Sequence, residues 1–324
     1  MPASDQHNYV IGVDVGGTKV AAGFVNHTGE IRHVTRVPMV SDGDATAGLN
    51  SVVAAVDSLL AKAHQNHWTI RAIGICAPGP LNPHTGVIIN PPNVTCWRNF
   101  PLAAEISKRY RLPVRIENDA NAAALAEFLW GAGKGHAKAF YISIGTGVGT
   151  GLILDGHIYN GRTGAATEGG HVSIDYRGPI CGCGKRGCIE VFISGTAIAK
   201  RAQVKLQAAN LSHSPLLDLV GGQILAVTCE LVNLAHAGGD EIAKATLLET
   251  VELLAVYLGN TIDLLEPDVI VVGGGVAGVL KPFFNEVREH IPSWCINSRC
   301  REIPLLSAHY GANSGIAGGA ALCS

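Results

Sequence analysis

Charged residues make up only 15% of this 324-residue chain, and they nearly cancel: 24 Lys and Arg against 26 Asp and Glu leave a formal charge of −2. The cationic excess with which proteins neutralise duplex phosphates is missing, which argues against a nucleic-acid binder. A long apolar run is missing too. The stretch from Val269 to Leu280 is broken by Gly273, Gly274, Gly275 and Gly278, and no stretch reaches the roughly 18 residues that a membrane span needs. The start, MPASDQHN, has no basic cluster, apolar core or cleavage site. No secretory leader is therefore expected, and the chain is expected in the cytoplasm. Nine cysteines are an odd count, which speaks against a disulfide framework in a chain without an export signal. Six of them, Cys76, Cys96, Cys229, Cys295, Cys300 and Cys323, read as small buried hydrophobes.

What is present is apolar and turn-rich. Hydrophobic residues reach 47% and glycines number 40, enough for large cores joined by tight turns. The length suggests two domains at roughly 100–200 residues each. Tyr9 to Val13, Val20 to Val25 and Ile31 to Val37 are β-rich runs separated by Gly16-Gly17 and Asn26 to Gly29, an antiparallel meander. A helical stretch through Leu49, Val56 and Ala63 leads to a strand at Ile70 to Cys76. From Phe140 the pattern repeats: strand to Ile144, glycine turn, strand from Val148 to Leu154, turn, and a short strand at His157 to Tyr159. This duplication predicts two similar α/β halves facing each other across a cleft, a favoured place for ligands. Ile242 to Leu265 predicts one long helix, Asp268 to Val272 a buried strand, and Gly311 to Ala321 a small-residue helix returning to the first half.

Three glycine turns follow strands. Asp14 to Lys19 and Ser143 to Gly149 occupy matching places in the two halves. Backbone N–H groups there can approach phosphate oxygens, Thr18 adds a hydroxyl, and Asp14 can hold Mg²⁺ through water. Neither turn is a Walker loop, because no Gly-Lys-Ser/Thr run occurs, and Gly145-x-Gly147 is followed by a strand rather than the helix of a dinucleotide fingerprint. Gly273-Gly274-Gly275 can accept an adenine or ribose, or simply form a tight turn. His171, Cys181, Cys183 and Cys188 are spaced H-x9-C-x-C-x4-C, a tetrahedral zinc set of structural type because all four positions are filled. Glu117, Asn118 and Asp119 end a short strand, Val114 to Ile116, before an Ala-rich helix. With Glu168, His171 and Glu190 they supply carboxylates and an amide suited to vicinal sugar hydroxyls. A structural carboxylate remains open for Glu117, and a helix cap for Asp119.

Taken together, the motifs from Gly12 to Lys19, Glu117 to Ala123, Gly145 to Gly149, Glu168 to His171, Cys181 to Glu190 and Gly273 to Gly275 resemble those of the ROK family of sugar kinases, and its bacterial glucokinases in particular. Ser194 to Ala199 adds to that likeness. The resemblance implies two actin-like ATPase (ribonuclease H-like) α/β domains with an interdomain cleft, residues 1–117 plus 308–324 forming the small one and 118–307 the large one with the zinc loop. It implies Asp119 as catalytic base, with Asn93, Asn118, Glu168, His171 and Glu190 as further sugar ligands. Asp14, Gly16, Gly17, Thr18, Lys19, Gly145, Thr146, Gly147, Gly273, Gly274 and Gly275 would bind ATP, with Mg²⁺. His171, Cys181, Cys183 and Cys188 would hold structural Zn²⁺. The implied activity is ATP-dependent phosphorylation of a hexose, glucose first, by a homodimer or homotetramer. N-acetylmannosamine or N-acetylglucosamine is the alternative substrate. A ROK-type repressor is remote, since eight residues before Tyr9 leave no room for a helix-turn-helix. One departure stands out: Thr167-Glu168-Gly169-Gly170-His171 has Gly169 where the family usually has Ile or Leu, and this glycine is expected to loosen the backbone beside a sugar ligand.

Overall fold

The computed structural model describes residues 7–211 and 213–324. Residues 1–6, most of the segment read above for a leader, lie outside that range. Twelve strands are present among the described residues: β1 (Asn8–Val15), β2 (Lys19–Val25), β3 (Ile31–Pro38), β4 (Thr69–Ala77), β5 (Leu81–Asn82), β6 (Val87–Ile88), β7 (Val114–Asn118), β8 (Lys138–Ile144), β9 (Val148–Leu154), β10 (His157–Ile158), β11 (Val269–Gly273) and β12 (Leu305–Ser307). The α-helices are α1 (Ala45–Gln65), α2 (Leu102–Tyr110), α3 (Asp119–Leu129), α4 (Glu190–Ile193), α5 (Gly195–Ala209), α6 (Pro215–Leu219), α7 (Cys229–Ala237), α8 (Glu241–Leu265), α9 (Ala277–Leu280), α10 (Phe284–His290) and α11 (Ser314–Ala321).

The strands form two five-stranded sheets, ordered β3-β2-β1-β4-β7 and β10-β9-β8-β11-β12, and a small β5-β6 hairpin. The two orders are the same when read by place in the chain, as the duplicated pattern predicts. In the first sheet β3, β2 and β1 are antiparallel neighbours, while β4 and β7 run parallel to β1. The chain divides into two compact units. One comprises Met1–Tyr141, Gly151–Thr167 and Ala308–Ser324; the other comprises Ile142–Thr150 and Glu168–Ser307.

In the first unit, one sheet face is covered by α1 and α2. Val52, Val56, Leu59 and Ala63 recur at helical spacing on α1 and meet Ile11, Val13, Phe24, Ile73 and Ile75 in one core. Each large aliphatic or aromatic side chain so buried contributes about 1.5–3 kcal/mol. Asp44 starts α1 by accepting the Ala47 N–H at 2.7 Å. The opposite face is met by α11, whose Ala and Gly residues let backbones approach closely. A Cβ at Gly12 would lie 1.9 Å from the Ile316 carbonyl oxygen, and one at Gly74 only 1.7 Å from that of Gly319. In the second unit the 25-residue α8 carries Leu247, Val251, Leu254, Leu258 and Ile262 on its buried side, starting at the Asp240 cap. Of the six scattered cysteines, Cys76, Cys229 and Cys300 are buried and the other three half-buried.

Candidate active site and metal knot

Three parallel strands of the first unit end together. Asp14 of β1 pairs with Cys76 of β4, and Cys76 with Glu117 of β7, so Asp14, the turn after Ala77, and Asn118-Asp119 share the C-terminal edge of the sheet. That edge is where open α/β sheets bind ligands. Asp14 is half-buried. Burial pushes its carboxyl above the usual range, opposed by the Cys76 thiol, Lys19 and Arg36. Cys76 donates to Asp14 Oδ1 at 3.5 Å and to the Gly315 carbonyl oxygen at 3.2 Å. Desolvation drives the Cys76 thiol well above its usual range, reinforced by the charges of Asp14 and Asp119. A thiol held neutral there serves as a donor, not a nucleophile.

Asn118, rather than Asp119, caps α3: its Oδ1 accepts the N–H groups of Ala120 at 2.9 Å and Asn121 at 3.4 Å. With Oδ1 engaged, Nδ2 is the end of Asn118 suited to a substrate hydroxyl. Asp119 is the first residue of the helix, exposed, with Oδ1 accepting the Ala120 N–H at 2.8 Å. Glu117 turns the other way. It is 2% exposed and accepts from the Asn118 N–H at 2.8 Å, Asn121 Nδ2 at 3.3 Å and Asn160 Nδ2 at 2.8 Å. Burial raises its carboxyl above the usual range and these bonds oppose the rise, so the structural alternative holds for this residue.

The β1–β2 turn closes with Gly16 N–H donating to the Lys19 carbonyl oxygen at 2.9 Å, leaving Thr18 and Lys19 exposed. Asn93 lies against it: a Cβ on Gly17 would sit 2.8 Å from the Asn93 carbonyl oxygen. The candidate phosphate turn and the candidate sugar ligand are thus neighbours.

In the second unit three loops converge. Gly195 N–H donates to the Gly145 carbonyl oxygen at 2.8 Å, Val276 N–H to that of Ile144 at 2.9 Å, and Thr196 Oγ1 to that of Thr146 at 3.0 Å. They border a cavity of about 650 Å³ that also meets Lys200, Gln203, Thr228 and Glu230, a volume in the usual range for a small-molecule site. Gly145, Thr146 and Gly275 line it; Gly147, Gly273 and Gly274 do not. Gly274 takes φ +85° and packs on Ile144. Gly147 packs instead on Glu190, whose Oε2 accepts the Val148 N–H at 3.0 Å.

His171, Cys181, Cys183 and Cys188 converge, their ligand atoms all within 4.8 Å of one another. Cys183 and Cys188 sulfurs are 3.7 Å apart, and Cys181 Sγ lies 3.6 Å from His171 Nδ1. Zn–S bonds of about 2.3 Å and a Zn–N bond of about 2.0 Å at the tetrahedral angle give edges of about 3.8 and 3.5 Å. Donor set and spacing therefore fit a tetrahedral soft-ligand ion. The chain reverses tightly to allow this: Gly187 has φ +65°, and a Cβ there would lie 1.6 Å from the Asp175 carbonyl oxygen. Glu190 Oε1 is 3.4 Å from Cys181 Sγ and 4.0 Å from His171 Nδ1, so it abuts the knot. Glu168 is exposed just before the short 3₁₀ turn Gly169–His171.

A model of the ROK family matches residues 10–324. The chain belongs to the ROK family. It is 33% identical over 313 residues to a glucokinase of Streptomyces coelicolor, covering 96% of both chains. It is 28% identical to a xylose repressor of Bacillus subtilis, covering 94% of this chain and 74% of the repressor. A ROK family glucokinase of Streptomyces griseus, crystallised with glucose and AMPPNP, superposes with a TM-score of 0.81 at 33% identity, over 97% of this chain and 98% of that one. The shared fold is the two-domain actin-like ATPase fold, with one five-stranded sheet for each repeat of this ROK chain.

Several residues of this ROK site escape sequence reading. Lys200 and Thr228 border the cavity beside Gly195 and Thr196, yet lie outside the Ser194 to Ala199 stretch that adds to the family likeness. Thr150 and Tyr257 carry no motif, although both pack against Gly169. A Cβ there would lie 2.4 Å from Tyr257 Oη and 2.5 Å from Thr150 Oγ1, and Gly169 N–H donates to Thr150 Oγ1 at 2.9 Å. Gly169 therefore does not loosen this backbone; its missing side chain is replaced by a phenol and a threonine.

Proposed function

We propose that the chain transfers the terminal phosphoryl group of ATP to the primary hydroxyl of glucose, giving glucose 6-phosphate. It is an ATP-dependent hexose kinase; glucose as the preferred hexose is the finer part of the reading. The observation that carries it is the shared strand edge, where exposed Asp119 heads α3 and half-buried Asp14 ends β1. In this reading Asp119 accepts the proton of the attacking hydroxyl. A carboxylate suffices because phosphoryl transfer passes through a loose transition state in which positioning and charge neutralisation dominate. Asn93, Asn118, Glu168, His171 and Glu190 bind the remaining hydroxyls. Were His171 to hold zinc through one ring nitrogen, the other would carry the proton and could donate to a hydroxyl. Gly16, Gly17, Thr18, Lys19, Gly145 and Thr146 hold the phosphates and Gly275 borders the nucleoside side, while Gly147, Gly273 and Gly274 form the turns behind them. Asp14 would hold Mg²⁺, which when bound neutralises phosphate charge. His171, Cys181, Cys183 and Cys188 would hold zinc as a structural ion, framing Glu168 and Glu190. The assembly is a homodimer or homotetramer in the cytoplasm; among the described residues, no helix is long and apolar enough to cross a membrane.

Kinases and repressors share this body, so the test must read chemistry at Asp119. Initial rates with ATP and a panel of glucose, mannose, fructose, N-acetylmannosamine and N-acetylglucosamine should favour glucose. Asp119→Ala should lower kcat by about 10²–10⁴-fold while calorimetry still detects glucose. A preference for an N-acetylhexosamine replaces the substrate; an active Asp119→Ala protein, or parental DNA binding without turnover, removes the reading.

A further inference from the structure

Burying a carboxylate costs several kcal/mol unless every lone pair is matched, and Glu117 is buried one residue before Asn118 and two before Asp119. Its surroundings form a closed hydrogen-bond network within the first unit. Oε1 accepts from the Asn118 backbone at 2.8 Å and from Asn121 Nδ2 at 3.3 Å, and Oε2 from Asn160 Nδ2 at 2.8 Å. Asn121 Nδ2 also donates to Asn160 Oδ1 at 3.2 Å, and Asn121 Oδ1 accepts from Thr167 Oγ1 at 2.9 Å. Thr167 holds φ +64°, a conformation that a β-branched residue adopts only under constraint, and the next residue is Glu168. Asn121 is 1% exposed, and its backbone N–H donates to the capping Oδ1 of Asn118. An apolar side chain would fill this space without the desolvation cost. A carboxylate there instead fixes the peptide that carries Asn118 and Asp119, and through Asn121 it reaches the residue ahead of Glu168.

We propose that Glu117 is a positioning residue: its carboxylate, bridged to Asn118, Asn121 and Asn160, sets the orientation of the Asp119 base and of the Thr167-Glu168 segment. The proposal rests on the kinase reading for its kinetic consequence but not for its structural one. In Glu117→Gln the side-chain oxygen keeps the Asn118 and Asn121 donors, but the new amide nitrogen faces Asn160 Nδ2, donor against donor. Adding Asn160→Asp repairs every bond: the amide donates to one carboxylate oxygen, and Asn121 Nδ2 to the other.

Two readouts decide. Misplacing a catalytic group by about 1 Å costs on the order of 10²-fold, so Glu117→Gln should lower kcat by about 10- to 100-fold and raise glucose KM by less. Glu117→Gln/Asn160→Asp should return kcat to within about threefold of parental. Independently of any activity, amide hydrogen exchange over residues 117–121 should quicken about tenfold in the single variant and recover in the double. Parental kcat and exchange in Glu117→Gln, or a double variant no better than the single, overturns the proposal. If the single variant does not fold, the double decides alone: parental kcat and exchange support the network, and impaired values refute it. A parental protein that phosphorylates no sugar removes the kinase reading, and the exchange comparison still decides the positioning claim.

Discussion

Gly169 has no side chain because Tyr257 and Thr150 already occupy the space. Tyr257 is 3% exposed, and burial pushes its phenol well above the usual tyrosine range, opposed by hydrogen bonds with Thr261 and Thr150. Overpacking at such a point forces backbone shifts costing about 1–3 kcal/mol, here between Glu168 and His171. Gly169→Ala is expected to raise glucose KM at least about fivefold with little effect on ATP KM, as steady-state kinetics will show. Tyr257→Phe removes the oxygen nearest the new methyl. The double variant should bind glucose better than Gly169→Ala alone, and strictly additive losses would contradict the steric account. The motif around Glu168 was legible in the chain. The pairing of Gly169 with Tyr257 was not, because 88 positions separate them (257 − 169) and no local pattern links a glycine to the phenol that fills its place. The same limit applies to Glu117: the residue type leaves a sugar ligand and a structural carboxylate both open, and the burial and the bond from Asn160, on another segment, are not written in the local sequence.

At the scale of elements, long periodic segments are legible in the sequence, and short ones such as β7 and β10 only where a motif or a repeat marks them. α1 and α8 followed from apolar residues three and four apart, and β1 to β4 from alternating or continuous apolar runs between glycine turns. The β5–β6 hairpin is not legible because its two-residue strands have no period to detect and, unlike β10, no matching copy elsewhere in the chain to mark them. The cap of α3 fell one residue earlier than Asp119, a shift that leaves the Asp119 carboxylate outside the capping role. The metal knot was legible from spacing alone, since three thiols and an imidazole within one short segment leave few other uses. An ion held by these four ligands would couple its binding to the folding of the loop. Elemental analysis is expected to find about one zinc per chain. Cys183→Ser, at the exposed corner of the set, should lower zinc affinity and raise glucose KM about tenfold or more, because Glu190 abuts the ligands. Full activity in protein stripped of metal by a chelator would show that the loop frames the carboxylates without an ion.

At the scale of the molecule, the duplicated strand pattern becomes two sheets with the same strand order. A fold written twice is easier to read than one written once, since each copy checks the other. Less legible was the division of labour. The second unit holds the cavity bordered by Gly145, Thr146, Gly195, Thr196, Lys200, Thr228 and Gly275, whereas Asn93, Asn118 and Asp119 belong to the first. Cavity residues such as Lys200 and Thr228 sit on helices or helix caps whose pattern reports only packing. If the cavity takes the nucleoside, each ligand has its own footprint, because a bound group slows amide exchange only in segments it orders. AMPPNP alone should protect residues 144–147, 194–203, 227–230 and 274–276, and leave 117–121 near the free rate. Glucose alone should protect 117–121 and 168–171 and leave 227–230 unchanged. At about 100 times its Kd, either ligand should also stabilise the fold by about 2.7 kcal/mol, a shift visible in thermal melts. Exchange mapped by mass spectrometry separates the two footprints. Protection of 227–230 by glucose, or its absence with nucleotide, would assign that cavity to something other than the phosphoryl donor.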